Sequence, residues 1–300
     1  MRITHGLKTA SLHFVKPSQG TAVVSVVIPA HNEETVISRC LTSLLNGLQE
    51  NDHEIIVVCN GCSDRTAERA RQFRSVRVIE LSLPSKIGAL NAGLNAASMT
   101  PLAFVDADVE LSGADLLKAV EQMELSGAKI VAPQLHVDLA GASFAVKSFY
   151  SVWTRLPYFS QGQMVGSGVF ILSEEGKRRI DQFPSLISDD GYARALFSGE
   201  ERLTASNCYF RIFAPKTSKD LIRIKARVRL GNAELSAKYP ELKAGSENTL
   251  RSMVVMVIKA PWLLLASFVY VWVQLCTARE SKRRMAIADF KTWDRDESSR

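Results

Sequence analysis

Cysteine is scarce in this sequence: there are five residues among 300, and residues 1–20 contain no recognisable cleavable signal peptide. An odd number of cysteines spread through a chain of this length is not the pattern of a disulfide framework. Three of them, Cys40, Cys208 and Cys276, also lack the paired spacing of zinc ligands. We therefore expect a protein of a reducing compartment.

Several other signatures are missing as well. No internal repeat, low-complexity tract or nucleic-acid motif is present, and no Gly-x-Gly-x-x-Gly follows the first predicted strand, which argues against a Rossmann dehydrogenase. With 46% hydrophobic and 23% charged residues, the chain is globular and can bury one large core, or one core with an appendage. The net charge is +6, and basic residues concentrate after about Lys216, which indicates a polyanionic or membrane-facing surface there.

Runs of β-branched residues alternate with helical patterns through the first half of the chain. A helix follows each of the first three of four predicted strands, at residues 23–28, 54–58, 76–79 and 101–106. This alternation predicts an α/β fold with a mostly parallel, helix-covered sheet over residues 23–235. Residues 1–22 are predicted to be an N-terminal arm, and residues 236–300 a hydrophobic helical extension with a basic tail.

Two carboxylates end the fourth predicted strand, in the motif Asp106-Ala-Asp108. Residues i and i+2 of an extended chain face the same side, so both carboxylates can converge on one cation. Mg²⁺ or Mn²⁺ accepts one or two carboxylates and completes its shell with water and the phosphate oxygens of a nucleotide diphosphate. An isolated Asp-x-Asp is more often a strand end or turn whose aspartates cap the next helix, so a metal site needs support from the other motifs.

Further motifs follow or precede the predicted strands in a fixed order. They are Pro29-Ala-His31-Asn32-Glu33, Asn60-Gly-Cys-Ser-Asp64, Ser85-Lys86 with Asn91, Asp106-Ala-Asp108, Gly166-Ser-Gly168 and Asp189-Asp190. Together they resemble the family 2 glycosyltransferases of the GT-A fold, a Rossmann-like nucleotide-diphospho-sugar transferase architecture. The resemblance runs from Val23 to about Leu235, so the domain at residues 23–235 would be catalytic.

The resemblance implies a role for each motif in a nucleotide-sugar site. Base and ribose would be approached by Pro29, His31, Asn32, Glu33, Asn60 and Asp64, and the pyrophosphate and ribose by Lys86 and Asn91. Asp106 would contact the ribose or donor sugar and share with Asp108 a bound Mn²⁺ or Mg²⁺. Asp190, with Asp189 beside it, would be the general base of an inverting transfer to an acceptor hydroxyl. Such chemistry is expected in cell-surface polysaccharide or glycolipid synthesis.

The sequence departs from the family pattern at two places. Cys59 and Asn60 stand where many members have two acidic residues, and Cys59-Asn-Gly-Cys62 also fits a thioredoxin-like motif. The nearest match to the Gln-x-x-Arg-Trp of processive members is Ile224-Lys-Ala-Arg227-Val228, so we do not expect a processive polymerase. A nucleotidyltransferase, or a non-catalytic nucleotide-sugar binding protein on a similar sheet, remains the alternative function.

Residues 253–276 are almost wholly apolar and interrupted by Lys259 and Pro261. Arg279, Lys282, Arg283 and Arg284 follow this segment and Arg251 precedes it, so the charge bias predicts that both ends stay cytoplasmic. We expect a re-entrant or interfacial hairpin on the cytoplasmic face of the cell membrane, which would favour a lipid-linked acceptor. The alternative is a cytoplasmic protein in which this segment packs on the catalytic domain or in a dimer.

Overall fold

The computed structural model describes residues 24–49, 53–160, 166–242 and 250–286. The predicted arm at residues 1–22 and the last part of the predicted basic tail, from residue 287 onward, lie outside these ranges. The described residues form a mixed α/β structure around one sheet, which confirms the predicted fold class.

Eight strands form this sheet in the order β3-β2-β1-β4-β7-β6-β8-β5. Their bounds are β1 Val24–Ala30, β2 His53–Asn60, β3 Val76–Leu81, β4 Leu102–Val105, β5 Glu110–Leu111, β6 Ile130–Asp138, β7 Val169–Leu172 and β8 Arg202–Phe213. The pairs among β1 to β4 are parallel, and so is the β6–β8 pair, whereas β7 runs antiparallel to both β4 and β6, and β5 to β8.

Helices connect the strands and cover the sheet. Their bounds are α1 Ile37–Leu45, α2 Thr66–Arg71, α3 Lys86–Ala96, α4 Gly113–Ser126, α5 Phe144–Trp153, α6 Pro157–Ser160, α7 Glu174–Arg179, α8 Asp189–Ala195, α9 Ser218–Lys238, α10 Leu250–Lys259 and α11 Leu264–Ala286.

The central strands are buried on both faces because helices pack on each side. Every residue of β1 and β4 is buried. This agrees with their sequences, which are almost continuously apolar, as is usual for parallel strands covered on both faces. On one face α3 approaches β1 very closely: a Cβ added to Gly93 would lie 2.2 Å from Val27 Cγ1, so only glycine fits there. This close packing fixes the start of α3 relative to the end of β1.

The reversal at β7 matters most for the site. Because β7 is antiparallel to β4, the start of β7 meets the end of β4, and Val169 is paired with Val105. The glycine turn before β7 is therefore brought to Asp106. Residues more than sixty positions apart in the sequence meet here through strand pairing alone.

Two elements differ from what their sequence patterns predict. The alternating pattern of residues 207–214 predicts an edge strand, but β8 begins at Arg202 and lies inside the sheet, because β5 pairs with its outer side. The helical pattern that begins at Thr217 predicts an end at Gly231, but α9 continues to Lys238, because Gly231 is buried against Ser188 and acts as a packing residue. The predicted domain boundary after residue 235 thus falls within α9.

The C-terminal apolar segment forms two helices, α10 and α11, separated at Ala260 and the Pro261–Leu263 turn. The predicted interruption at Pro261 is confirmed. Helix α11 packs on α5 and α9, and the rings of Phe149 and Tyr270 stack with centroids 5.1 Å apart. Within the described ranges, Pro261–Ala286 is long and apolar enough to cross a membrane, judged by length and composition.

Candidate functional site

A polar pocket lies where β1 and β4 end, closed by the turn before β7 and by the start of α8. Its lining contains Pro29, Lys86, Leu90, Phe104, Asp106, Gly168, Phe170, Asp189 and Asp190. Ligands of open α/β sheets collect at the carboxyl ends of the strands, so this is the expected place for a site. Five of the predicted site residues are thereby brought together: Pro29, Lys86, Asp106, Asp189 and Asp190.

Lys86 joins the two acidic motifs. Its Nζ lies 3.0 Å from Asp106 Oδ1 and 3.0 Å from Asp189 Oδ2, so one ammonium bridges carboxylates on separate elements. Lys86 is also the first residue of α3, after the Ser85 cap. A cation at a helix N-terminus is opposed by the helix dipole. This local conflict indicates that the two carboxylates, rather than helix stability, determine the residue at this position.

The charges in the pocket are unbalanced. Burial alone would lower the pKa of Lys86, but Asp106, Asp189 and Asp190 outweigh it and raise this pKa, so the lysine stays charged. Burial raises the pKa of Asp106 to about 6, opposed by Lys86 and assisted by Asp189 and Asp108. Several carboxylates thus share one lysine, and a further cation would relieve their repulsion.

A strained glycine turn holds Asp190 in place. Gly166, Ser167 and Gly168 all have positive φ angles, of +105°, +62° and +104°. The Ser167 N–H donates to Asp190 Oδ2 at 3.1 Å, and a Cβ on Gly166 would lie 2.9 Å from that oxygen. The Asp106 N–H donates to the Gly168 carbonyl at 2.8 Å. Backbone strain of this kind is typical of functional sites, where neighbouring structure stabilises it.

Asp108 is placed differently from Asp106. It is exposed, and its carboxylate takes part in no ion pair or side-chain hydrogen bond within the described ranges. The same ranges contain no group of three or more His, Cys, Asp or Glu side chains that could hold a metal ion. Asp108 and the second oxygen of Asp106 are the carboxylate oxygens left at the end of β4, and their predicted role as ligands of Mn²⁺ or Mg²⁺ stays a prediction.

The loops after β1 and β2 are held together through Asn60. Its buried side chain donates to the Ala30 carbonyl at 2.8 Å and accepts from the Ser85 N–H at 2.9 Å. His31 Nδ1 lies 2.6 Å from the Asn60 carbonyl, and because a carbonyl only accepts, Nδ1 carries the proton. Asn60 thus positions the start of α3, and its predicted contact with a nucleotide base stays a prediction.

The neighbouring predicted residues form a second set of loop contacts. Asp64 Oδ1 accepts from the Thr66 N–H at 3.0 Å and so caps the turn before α2. Asn32 Oδ1 accepts from the Ser63 N–H at 2.6 Å, and the Glu33 N–H donates to Thr66 Oγ1 at 2.7 Å. These bonds order the backbone beside the pocket.

Asn91 lies on α3, one turn beyond Lys86. Its side chain exchanges two hydrogen bonds with the Phe183 backbone, at 3.0 and 2.8 Å, and so fixes the segment that leads to Asp189. Its predicted role near the pyrophosphate and ribose stays a prediction.

Sequence reasoning missed Lys225, on α9. Its Nζ lies 3.8 Å from the ring centroid of Trp153, 5.4 Å from that of Phe149 and 5.6 Å from that of Tyr150. Burial lowers the pKa of Lys225 to about 8, and the charge of Asp190 acts in the opposite direction. No motif marks this lysine, because its three aromatic neighbours lie more than seventy residues away in the chain.

The glycosyl transferase family 2 model matches residues 25–176 of this chain. Among curated relatives, the uncharacterized glycosyltransferase EpsJ of Bacillus subtilis (strain 168) is 35% identical over 104 residues, covering 33% of this chain and 30% of EpsJ. The 4,4'-diaponeurosporenoate glycosyltransferase of Staphylococcus haemolyticus (strain JCSC1435) is 38% identical over 120 residues, covering 37% and 31%. The match thus spans under a third of each relative.

Solved structures share the fold. The mannosyltransferase PcManGT from Pyrobaculum calidifontis, in complex with GDP-Man and Mn²⁺, has a TM-score of 0.59 at 17% identity, covering 89% of this chain and 81% of that one. Glucosyl-3-phosphoglycerate synthase from Mycobacterium tuberculosis, in complex with Mn²⁺, UDP and phosphoglyceric acid, has a TM-score of 0.50 at 20% identity, covering 72% and 78%. These likenesses confirm the GT-A-type fold.

The contacts of Cys62 in the loop after β2 lead to a prediction about the reactivity of its thiol. A hydrogen bond from Cys59 lowers the pKa of Cys62 to about 6, and the Asn32 N–H assists it. A thiol with a lowered pKa is a thiolate above that pH, so iodoacetamide should alkylate Cys62 readily at pH 7 and slowly below about pH 6. Peptide mass spectrometry across a pH series measures this rate.

Cys59→Ala is the matched control, because it removes the donor without changing Cys62. Its alkylation profile should move to higher pH by about one unit or more. An unchanged profile would refute the assignment of Cys59 as the donor.

Proposed function

This chain belongs to glycosyl transferase family 2, and from that premise we propose that it transfers a sugar from a nucleotide-diphosphate sugar to an acceptor hydroxyl. The observation that carries this proposal is the bridge from Asp106 through Lys86 to Asp189, with Asp190 on the same pocket. The site therefore combines one acidic pair suited to a metal, Asp106 and Asp108, with a second suited to proton transfer, Asp189 and Asp190.

The first acidic pair is assigned to the donor. Asp108 is exposed and able to accept a ligand without breaking an ion pair, and Asp106 offers its second oxygen. A bound Mn²⁺ or Mg²⁺ would neutralise the charge that develops on the departing diphosphate. Lys86 adds a fixed positive charge beside it, on the side of the pocket where α3 begins.

Asp190 is assigned as the base that takes the proton of the acceptor hydroxyl. Its carboxylate is oriented by the Ser167 N–H at 3.1 Å and the Gly191 N–H at 2.7 Å. Asp189 is buried and bound to Lys86, so it orients the lysine and is not accessible to an acceptor. One accessible base without a separate nucleophile supports direct displacement with inversion at the sugar carbon.

The surface of α11 supports attachment to a membrane surface rather than a complete crossing. One side of the helix packs on the protein, through the buried residues Ser267, Tyr270, Val273 and Thr277. The other side of α11 and Trp262 in the turn before it are apolar, and their large side chains are between 48% and 74% exposed: Trp262, Leu264, Leu265, Phe268, Trp272 and Leu275. From Trp262 to Leu275 this stripe is about 20 Å long at 1.5 Å per residue.

A stripe of that length is shorter than the roughly 30 Å hydrocarbon core of a bilayer. Basic residues follow it on the same helix, at Arg279 and Lys282, where they can meet anionic headgroups. We assign this face, defined by the six exposed apolar residues above, as the membrane face. This face supports a lipid-linked acceptor at the cytoplasmic membrane surface as part of the proposal.

Removing the predicted metal ligand tests the donor half of the site. Asp108→Ala should weaken binding of a nucleoside diphosphate in Mn²⁺ by about tenfold or more, since one of few protein ligands is lost. Calorimetry with UDP and GDP measures this. Asp181→Ala, an exposed aspartate outside the pocket, is the control. If the wild type and Asp108→Ala bind the nucleoside diphosphate in Mn²⁺ with equal affinity, the assignment of Asp108 as a metal ligand is refuted.

Asp190→Asn tests the chemistry itself. Donor binding should remain nearly intact, while slow hydrolysis of the donor should fall by about 10²-fold, the usual contribution of a general base. A panel of nucleotide sugars with Mn²⁺ provides the assay, read as free nucleoside diphosphate. A pure binding defect would make Asp190 structural, and release of pyrophosphate by the wild type would identify a nucleotidyltransferase instead.

The membrane face is tested with vesicles containing anionic phospholipid. The triple variant Leu265→Gln, Phe268→Gln and Trp272→Gln should reduce co-sedimentation by about tenfold or more, because apolar burial contributes about 25 cal/mol per Å². The control variant Leu83→Gln with Leu125→Gln alters two apolar residues of similar exposure, 75% and 78%, outside this face. The assignment would be contradicted if the full-length protein stays monodisperse without detergent and does not co-sediment with the vesicles.

A further inference from the structure

The ammonium group of Lys225 lies against three aromatic rings and has no counter-ion in the part of the chain that the structure describes. Trp153, Phe149 and Tyr150 on α5 lie 3.8 to 5.6 Å from it, as ring centroids. Within the described ranges no carboxylate lies within ion-pairing distance of Lys225, and no hydrogen bond engages its Nζ. By contrast, Lys86, the other lysine of the pocket region, is bound by two carboxylates.

The side chain of Lys225 is only partly buried, so its ammonium keeps contact with solvent. The three rings cover one side of this ammonium, and cation–π contacts at a partly exposed site are weak. An anion placed at Nζ would add charge-assisted hydrogen bonds, which the ring faces do not provide.

The position of Lys225 connects it to the catalytic acid pair. Asn232 is seven residues further along α9, on the same helix face, and lies 3.1 Å from the Ser188 hydroxyl, immediately before Asp189. The Ile187 N–H also bonds to Glu234 on α9, at 2.9 Å. Lys225 therefore projects from the helix face that supports the start of α8, and the charge of Asp190 reaches it.

On its other side, the same aromatic group leads to the membrane face. Phe149 stacks on Tyr270 of α11, and Tyr270 is on the inner side of the helix whose outer side carries the membrane face. Packed side chains thus connect Lys225 to the membrane face through Phe149 and Tyr270, and α9 connects it to the segment before Asp189 through Asn232. The donor is assigned to Lys86 and Asp108.

We propose that Lys225 binds an anionic group of the acceptor, a phosphate or a carboxylate, and so holds the acceptor hydroxyl at Asp190. This assignment rests on the proposed function for the identity of Asp190 as base. Lys225 is then a specificity-determining residue that selects acidic acceptors, and the aromatic rings around it pack on the acceptor's apolar part.

The test measures protection of Lys225 in the full-length wild-type protein. Acetylation of each lysine by a water-soluble succinimidyl ester at pH 8 is followed by peptide mass spectrometry, with millimolar hexyl phosphate, hexanoate or hexanol present. Hexyl phosphate or hexanoate should slow acetylation of Lys225 by about fivefold or more, and hexanol should not. Lys219, exposed on the same helix, is the internal control and should react equally throughout.

Two outcomes would overturn the proposal. If neither hexyl phosphate nor hexanoate slows acetylation of Lys225, then Lys225 holds no acceptor anion. Protection by UDP or GDP with Mn²⁺, but by neither acid, means that this cation serves the donor instead. Because protection requires no turnover, these results are independent of whether donor hydrolysis supports the proposed function.

Substitutions separate charge from packing. Lys225→Met keeps an unbranched chain between the rings and should weaken hexyl phosphate binding by about tenfold in calorimetry, the scale of a charge-assisted hydrogen bond. Lys225→Arg should retain binding, and Lys219→Met should match the wild type. If Lys225→Met does not fold by circular dichroism, the protection experiment on the wild type still decides.

Discussion

The bridge from Asp106 through Lys86 to Asp189 is the interaction on which the rest of the site depends. Each of its three charges comes from a different element: the end of β4, the start of α3 and the start of α8. Lys86 and Asp189 are the more buried part of this bridge, whereas Asp106 keeps one oxygen open to the pocket. The bridge depends on close packing of α3 on β1, which Gly93 permits, and on the antiparallel placement of β7, which brings the glycine turn to Asp106.

The sequence allowed prediction of those parts whose signal is local. Continuous apolar runs identified β1, β2 and β4, and the ordered motifs after them identified the residues that now meet at the pocket. The role of Asn91 as a backbone clamp was not predictable, because its partner Phe183 is 92 residues away. The ring contacts of Lys225 were not predictable for the same reason. The three rings lie on α5 and the lysine on α9, so they meet only after these two helices pack together.

The C-terminal segment illustrates a different limit. Its residues are apolar on all sides of the helix, so periodicity could not separate a lipid-facing side from a packed one. The structure separates them through α5 and α9, which cover Tyr270 and Val273 and leave Phe268 and Trp272 exposed. A helix that packs on its own domain along one side cannot be surrounded by lipid. The exposed apolar side of α11 is therefore consistent with the interfacial contact expected from the sequence, and this contact stays a proposal.

The two lysines near Asp190 are in opposite electrostatic states, and this difference fits an enzyme that binds two substrates. Lys86 is saturated by carboxylates before any ligand arrives, so it can preorganise the donor side without reorganisation during the reaction. Lys225 lies against three aromatic rings and has no counter-ion among the described residues, so the proposed acceptor anion would be its first ionic partner. Because burial lowers its pKa to about 8, an arriving anion would also favour its protonated form, so binding and charge would reinforce each other. In the proposed arrangement, the anionic group of the acceptor would complete the acceptor side of the site.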